Sequence, residues 1–318
     1  MALPTLLDLA ILNGSDMVAG LVDEATRQTP ELTGKVNFRG KTIQVPMVGA
    51  SRTIKGRTYK TLIRTGLPTA GFRDANQGVA ASKSTHQNKN VETFILNARW
   101  EADKAVADSH EDGPQAYIAM EAEAVTAAAF MALAKQFYYG RANGGHAKGH
   151  PGLIDSVDPS MVVDATGTTA STGSSVWGVK WGAKFVQWVL GENGSLETGD
   201  VREESVPDEA GNRFTAYVQE LLGYPGLQVL NKFAIGRIRN LTADANKGLT
   251  DKLMGSLVAK YPAGYVPDCF FLSRRSLEQL RASRTATNAT GAEAPTPTEY
   301  EGIPLIPTDS IVDTESLD

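Results

Sequence analysis

From Gln115 to Tyr139 apolar side chains recur every three or four positions, at Ile118, Ala122, Val125, Ala129, Leu133 and Phe137, the period of one helix face. The pattern predicts one long helix. Asp112 stands where an N-cap acceptor would, Pro114 falls in the first turn, where a missing N–H costs nothing, and Gln115 completes a capping-box spacing. Glu121, Glu123, Lys135 and Gln136 are expected to point away from the packed face. Nine alanines between Gln115 and Tyr139 give high helix propensity and a thin profile that other backbones can approach closely. Gly140 offers the left-handed residue at which such a helix ends.

Ahead of this helix the period changes to two. KVNFRG, KTIQVPMVG and TIKGRTYKTLIRTG alternate and carry Thr, Val, Ile and Tyr, with Gly and Pro between them. They are too polar to build a core alone, so a long two-stranded excursion that needs a surface to lie on is expected. A polar tract from Gly66 to Asn90 gives way to a strand in VETFILNARWEADKAVAD. Residues 5–29 read as a helical arm broken at Asn13–Asp16, with Ser15 or Asp16 as a cap.

Beyond the helix GRANGGHAKGHPGLIDSV reads as a Gly-rich loop entering a short element, with a loop around Thr166–Ser175. Trp177, Val179 and Trp181 then alternate in a β-rich stretch with a turn at Gly194. The acidic run Glu192–Glu220 reads as a hairpin or exposed loop, and LQVLNKFAIGRIRNL as a strand. A helix capped by Thr250, the apolar strand YVPDCFFLS and the helix RRSLEQLRAS follow. After a flexible Thr285–Thr298 loop, EGIPLIPTDSIVD closes the chain as an edge-like strand tolerant of proline. Central strands flanked by helices and arms argue an α+β fold.

At 318 residues, 42% hydrophobic and 21% charged, the chain suits a soluble protein of about two domains with arms. The apolar N-terminus carries Asp8 and lacks a basic leader, so neither a signal peptide nor a membrane partner is expected. The single cysteine, Cys269, fits a buried strand position. The net charge of −5 hides an asymmetry, because no acid occurs from Leu32 to Arg73 among nine basic residues. Five of these, Arg52, Lys55, Arg57, Lys60 and Arg64, are read as the tip of the excursion. Acids gather at Glu101–Glu123, including Glu121 and Glu123, and at Glu192–Glu220. Such opposite poles invite self-association. Phe38, Tyr59 and Phe72 among the cations leave a basic-loop DNA-binding protein as an alternative.

Catalytic patterns are weak. His146 and His150 have the i, i+4 spacing of a helical chelate, but Gly144, Gly145, Gly149 and Pro151 around them oppose a helix. His86 and His110 lie in polar tracts, no G-x-S-x-G elbow or phosphate loop occurs, and Glu203–Glu204 sits in a run of charge. No enzyme, cofactor or metal site is expected.

Several segments in order, GLPTAGFRDANQG, NVETFILNARWEADKAVAD, FYYGRANGG, GHPGLIDSV, GSSVWGVKWGAKFVQWV, GYPGLQVLNKFAIGRIRNL and EGIPLIPTDSIVDTE, resemble tailed-bacteriophage major capsid proteins over residues 35–315. The resemblance implies the Hong Kong 97-type capsid fold. It maps residues 1–35 to an N-terminal arm, 36–90 to an extended β loop, 91–155 to a peripheral domain with its spine helix, and 156–290 mainly to an axial domain. Residues 291–318 would form a strand returning to the peripheral domain. The GIPLIPTDSI-like segment here follows the WGAKFVQWV-like one, reversing the order seen in many such proteins. The implied function is a non-enzymatic icosahedral head shell around double-stranded DNA, held without sequence-specific binding. The implied partners are further copies as pentamers and hexamers, with scaffolding, portal and cement proteins. Assembly in the bacterial host cytoplasm into the virion follows from the same resemblance. Encapsulins share the fold and are the alternative within it. Some relatives crosslink a loop lysine, a role not expected of Lys55 or Lys60.

Overall fold

The computed structural model describes residues 23–46, 51–142, 144–191, 196–286 and 292–317. The arm helices expected within residues 5–22 and the turn at Gly194 lie outside them. Residues 23–29 are not helical, and the first element among the described residues is a one-turn helix α1 (Pro30–Thr33), with Pro30 in its first turn. A hairpin of β1 (Lys35–Phe38) and β2 (Lys41–Gln44) follows, then β3 (Ser51–Ile54), β4 (Thr58–Gly66), β5 (Thr85–Glu92) and β6 (Leu96–Asp103). Next come α2 (Lys104–Asp108), the long α3 (Pro114–Tyr139) and α4 (Leu153–Ser156). The second half contains β7 (Val162–Asp164), β8 (Ser174–Val179), β9 (Val186–Gly191), β10 (Glu197–Thr198), β11 (Arg202–Pro207), β12 (Arg213–Gly223), β13 (Pro225–Val229) and β14 (Ile235–Leu241). It ends with α5 (Asp251–Val258), β15 (Cys269–Leu272), α6 (Arg274–Ala286), β16 (Glu299–Tyr300) and β17 (Ile303–Pro307).

The central sheet runs β16-β17-β15-β8-β14-β7. Its inner strands are buried on both faces, and period-two alternation distributes their side chains between two cores. Trp177, Val179, Ile235, Cys269, Phe271 and Ile306 face the core that receives the end of α3. Val176, Ile238, Leu241, Phe270, Leu272 and Leu305 face the other, covered by Met254 and Leu257 of α5 and Leu277 and Leu280 of α6. Thr250 caps α5 as its position in the sequence suggests, accepting from the Leu253 N–H at 3.3 Å. β17 is not the edge strand expected, because β15 flanks it on one side and β16 on the other.

A second sheet has β12 at its centre, with β6 on one side and β10 and β11 on the other. The start of α3 packs on it through Tyr117 and Ile118 against Trp100, Ala102 and Ala107. A third sheet, β13-β9-β3, ties the root of the N-terminal strands to the body.

Helix α3 ends at Gly140 as its sequence suggests, and differs from that reading in its N-cap and in the burial of its last turn. Gly113, not Asp112, is the N-cap, at φ 83°, a backbone conformation that favours glycine, and no side chain caps the helix. Ala129, Leu133 and Phe137 are buried as the periodicity predicts, while Ala122 and Val125 are only half-buried. The last turn is buried all round. Gln136, expected to face outward, is drawn inside because its amide holds the following loop: Nε2 donates to His150 O (2.7 Å) and Oε1 accepts from the His146 N–H (2.6 Å). Phe137 stacks on Trp181 with 5.7 Å between ring centroids and lies 5.3 Å from Trp188. Tyr138 donates to Glu31 (3.4 Å), and Tyr139 to Glu315 (2.7 Å). Glu315 also accepts from Ser175 (2.6 Å) and lies 3.3 Å from the buried Arg237 guanidinium. α3 is long and apolar enough to cross a membrane by length and composition, but its final turns are fixed inside this aromatic core.

Two substitutions test the orientation of α3. Ala129→Asp puts a carboxylate where Ala129 is 3% exposed, at a cost of several kcal/mol, and should yield insoluble or unfolded protein. Glu123→Ala, on the exposed side, should shift the urea midpoint by less than the equivalent of about 0.5 kcal/mol. Equal tolerance of both would refute the packing. In the same denaturation assay, Glu315→Ala should cost about 3–5 kcal/mol by removing the carboxylate beside buried Arg237, and Glu315→Gln distinctly less.

Candidate assembly surface

The excursion expected from the sequence is a ribbon in which β4 and β5 pair antiparallel, Thr58 opposite Glu92 and Arg64 opposite His86. It is narrower than residues 36–90. Val36 and Val45, flanking the first hairpin, are in the main core, and β3 pairs in parallel with β9. The five cations read as a tip are therefore distributed differently. Arg52 sits on β3 opposite Val189, at the root. Lys55 and Arg57 lie in the turn leading into the ribbon, and the Arg57 carbonyl accepts from the Thr93 N–H at 2.9 Å. Only Lys60 and Arg64 lie along the ribbon, while its far end, residues 67–84, carries Arg73 and Lys83.

The root is built to hold an angle. Ile54, Val91 and Val189 form a small apolar cluster with Tyr59 and Leu230 against it. The Arg52 guanidinium lies 4.3 Å above the Tyr59 ring, and the Tyr59 hydroxyl donates to the fully buried Gln228. Gln228 Nε2 in turn donates to Ala183 O at 2.8 Å. Arg52 is thus engaged within its own chain.

Alternation along β4 places Lys60, Leu62 and Arg64 on one face, opposite Asn90, Asn88 and His86 of β5. Leu62 is 66% exposed, Leu67 75% and Phe72 completely, with Val79 also open. The sequence shows these apolar residues, but not that folding leaves them uncovered. A ribbon of this kind is marginal alone, which makes its exposed apolar residues a candidate contact surface.

The two acidic zones of the sequence do meet, because β6 and β11 flank β12. Part of their charge is already balanced within the chain, by Arg99 with Glu101 (2.7 Å) and Glu204 (3.5 Å), and by Lys104 with Glu203 (2.7 Å). On α3, Glu123 is exposed, whereas Glu121 is half-buried, so burial raises its pKa against a hydrogen bond from Tyr117. Around them Ala116, Ala119, Ala124, Ala128 and Ala132 are exposed, an apolar helix surface left open in the single chain. Beside it a cavity of about 420 Å³ lies between Thr26–Thr29 and the side chains of Ala127 and Phe130.

His146 and His150 lie in a loop with turns, not on a helix. Their loop folds around Gln136, and His150 is buried edge-on to Trp188 at 5.7 Å, where burial lowers its pKa to about 4 and keeps it neutral. Cys269 is buried in β15, where burial raises its thiol pKa. Neither has the setting of a nucleophile or ligand. Among the described residues no cluster of three or more potential metal ligands occurs.

The fold matches the structure of bacteriophage Epsilon15 with a TM-score of 0.69 at 20% identity, covering 99% of this chain and 97% of the other. The capsid of bacteriophage JBD30 aligns over 97% of this chain and 99% of its own, at 11% identity and a TM-score of 0.48. An encapsulin complex from Synechococcus elongatus PCC 7942 aligns over 77% of this chain and 98% of its own, at 10% identity and 0.43. No curated protein sequence matches. The mixed architecture is the Hong Kong 97-type capsid fold, and the family model described as major capsid protein GP7 matches residues 51–317. The chain belongs to the major capsid protein GP7 family and is a structural protein of a phage head shell.

Proposed function

We propose that this capsid protein builds an icosahedral head around double-stranded DNA, in pentamers and hexamers joined by ribbons that each lie over a neighbouring subunit. Lys60, Leu62 and Arg64 form the docking face, and the alanine-rich side of α3 with Glu121 and Glu123 and the adjoining acidic sheet receives it. The observation that carries this reading is the pairing of two incomplete surfaces on one chain, an exposed ribbon with basic and apolar residues and an exposed apolar helix with acids. Complementary charge steers the encounter, and apolar burial holds it. Each exposed ion pair contributes only about 0–1 kcal/mol, so the shell depends on repetition. On this reading Arg52 is a positioning residue that sets the direction of the ribbon. The arm, loop, peripheral and axial regions follow the assignment given above, with the docking part of the loop confined to residues 58–92. Assembly would take place in the host cytoplasm before the protein becomes part of the virion.

Lys60→Glu combined with Arg64→Glu should leave a folded, soluble subunit that forms few shells in electron micrographs, and raised salt should slow wild-type assembly. Arg52→Ala should give misassembled rather than absent shells, with Arg52→Lys partly restoring them. Normal shells from the double reversal, with weakened binding to DNA, would place the ribbon against the genome and overturn the docking reading.

A further inference from the structure

Although α1 has a single turn, it carries Glu31, whose side chain is wholly buried. Its carboxyl group is surrounded by neutral hydroxyls. Ser310 donates to Oε1, while Thr308 (3.2 Å) and Tyr138 (3.4 Å) donate to Oε2. Among the described residues, the elements packed around it bring no cation into contact. α3 contributes Tyr138; the segment after β17 contributes Thr308 and Ser310, with Asp309 between them paired to Arg274 at 2.7 Å. β9 contributes Trp188, whose indole N–H donates to the Glu31 carbonyl at 3.2 Å, and His150 lies on the far side of that ring. β15 contributes Cys269 within the same core. Arg27 and Lys35, flanking α1, are exposed. Glu315 differs, since Arg237 accompanies it into the interior.

We propose that Glu31 is a protonation-operated latch, which seats α1 and the preceding residues 23–29 on the subunit body when neutral and loosens that seat when ionised. Hydroxyls both donate and accept, so the pocket admits either form, and the cost of desolvating the charge decides between them. Burial outweighs the three hydroxyl donors and the Glu31 backbone N–H, and pushes the Glu31 pKa up to about 7 from 4.5. Between those values the seated form holds a proton that the released form has lost. The seat is therefore firmest below about pH 4.5, weakens as pH rises towards 7 and stays weak above it. This is the reverse of an ordinary paired carboxylate. His150 acts in the opposite sense, losing its contribution as pH falls from 6.5 towards 4. A control at Glu31 leaves His150 untouched.

Hydrogen exchange on the full-length protein from pH 5.0 to 8.5, corrected for intrinsic rates, tests the latch at the amides of Leu32, Thr33 and Gly34, which close α1. Wild-type protection should fall by about tenfold or more and level off near pH 7, with faster tryptic cleavage at Arg27 in parallel. In Glu31→Gln, which mimics the neutral acid, protection should stay high throughout. Ser310→Ala removes a hydrogen bond to the ionised form and should move the levelling point to higher pH, a readout independent of any general loosening. The same pH profile in wild type and Glu31→Gln, or an unmoved levelling point in Ser310→Ala, overturns the proposal.

Discussion

Two adjacent tyrosines at the end of α3 each donate a hydrogen bond to a carboxyl group shut away from water, and the two acids come from opposite ends of the described chain. Tyr138 reaches Glu31 beside α1, and Tyr139 reaches Glu315 near the C-terminus. Successive helix residues project about 100° apart, so this one turn grips both chain ends while Phe137 enters the aromatic core between Trp181 and Trp188. Rotating the helix by one residue would strand two buried hydroxyls, at about 1–3 kcal/mol each. It would also pull Phe137 from its stack. The register of α3 is thereby fixed, and with it the position of the central sheet and of the β6–β12 sheet under the helix start.

The ribbon follows the opposite design. Its strands pair with each other, its far end is held by local bonds such as the Thr69 N–H to Ser82 Oγ, and only its root is packed. Its angle then rests on a few contacts, Arg52 on Tyr59 and Tyr59 on Gln228. On the pentamer-and-hexamer arrangement proposed above, the subunit would gain from a stiff body and an arm whose direction is set at one place.

Much of the fold is legible in the sequence because its signals are local. The periodicity of α3, the Thr250 cap, the apolar run of β15 and the alternation of β1 to β4 depend on neighbours a few residues away. The rest depends on backbone angles or on distant residues. Gly113 displaces Asp112 as the cap through a backbone angle that spacing does not reveal. Gln136 turns inward because residues 146–150 fold over it. Arg52 looked like one of five equal cations until β3 paired with β9, across more than a hundred residues of chain. Glu31 gave no signal at all, since its partners are hydroxyls 107 to 279 positions away.

The composition of α3 joins these two designs. A helix apolar on all sides is normally enclosed on all sides, yet its outer side in the single chain is open, and that side is alanine rather than leucine. Each exposed methyl forfeits little, since a buried CH₂ is worth about 0.8 kcal/mol. A leucine stripe would bind a neighbour more strongly, but would trap wrong contacts as firmly as right ones. Alanines let a backbone approach closely while keeping each contact weak enough to be undone. On the proposed docking, selection of the correct neighbour would fall to Glu121, Glu123 and the ribbon cations, and the strength of the finished shell to the number of identical contacts closed at once.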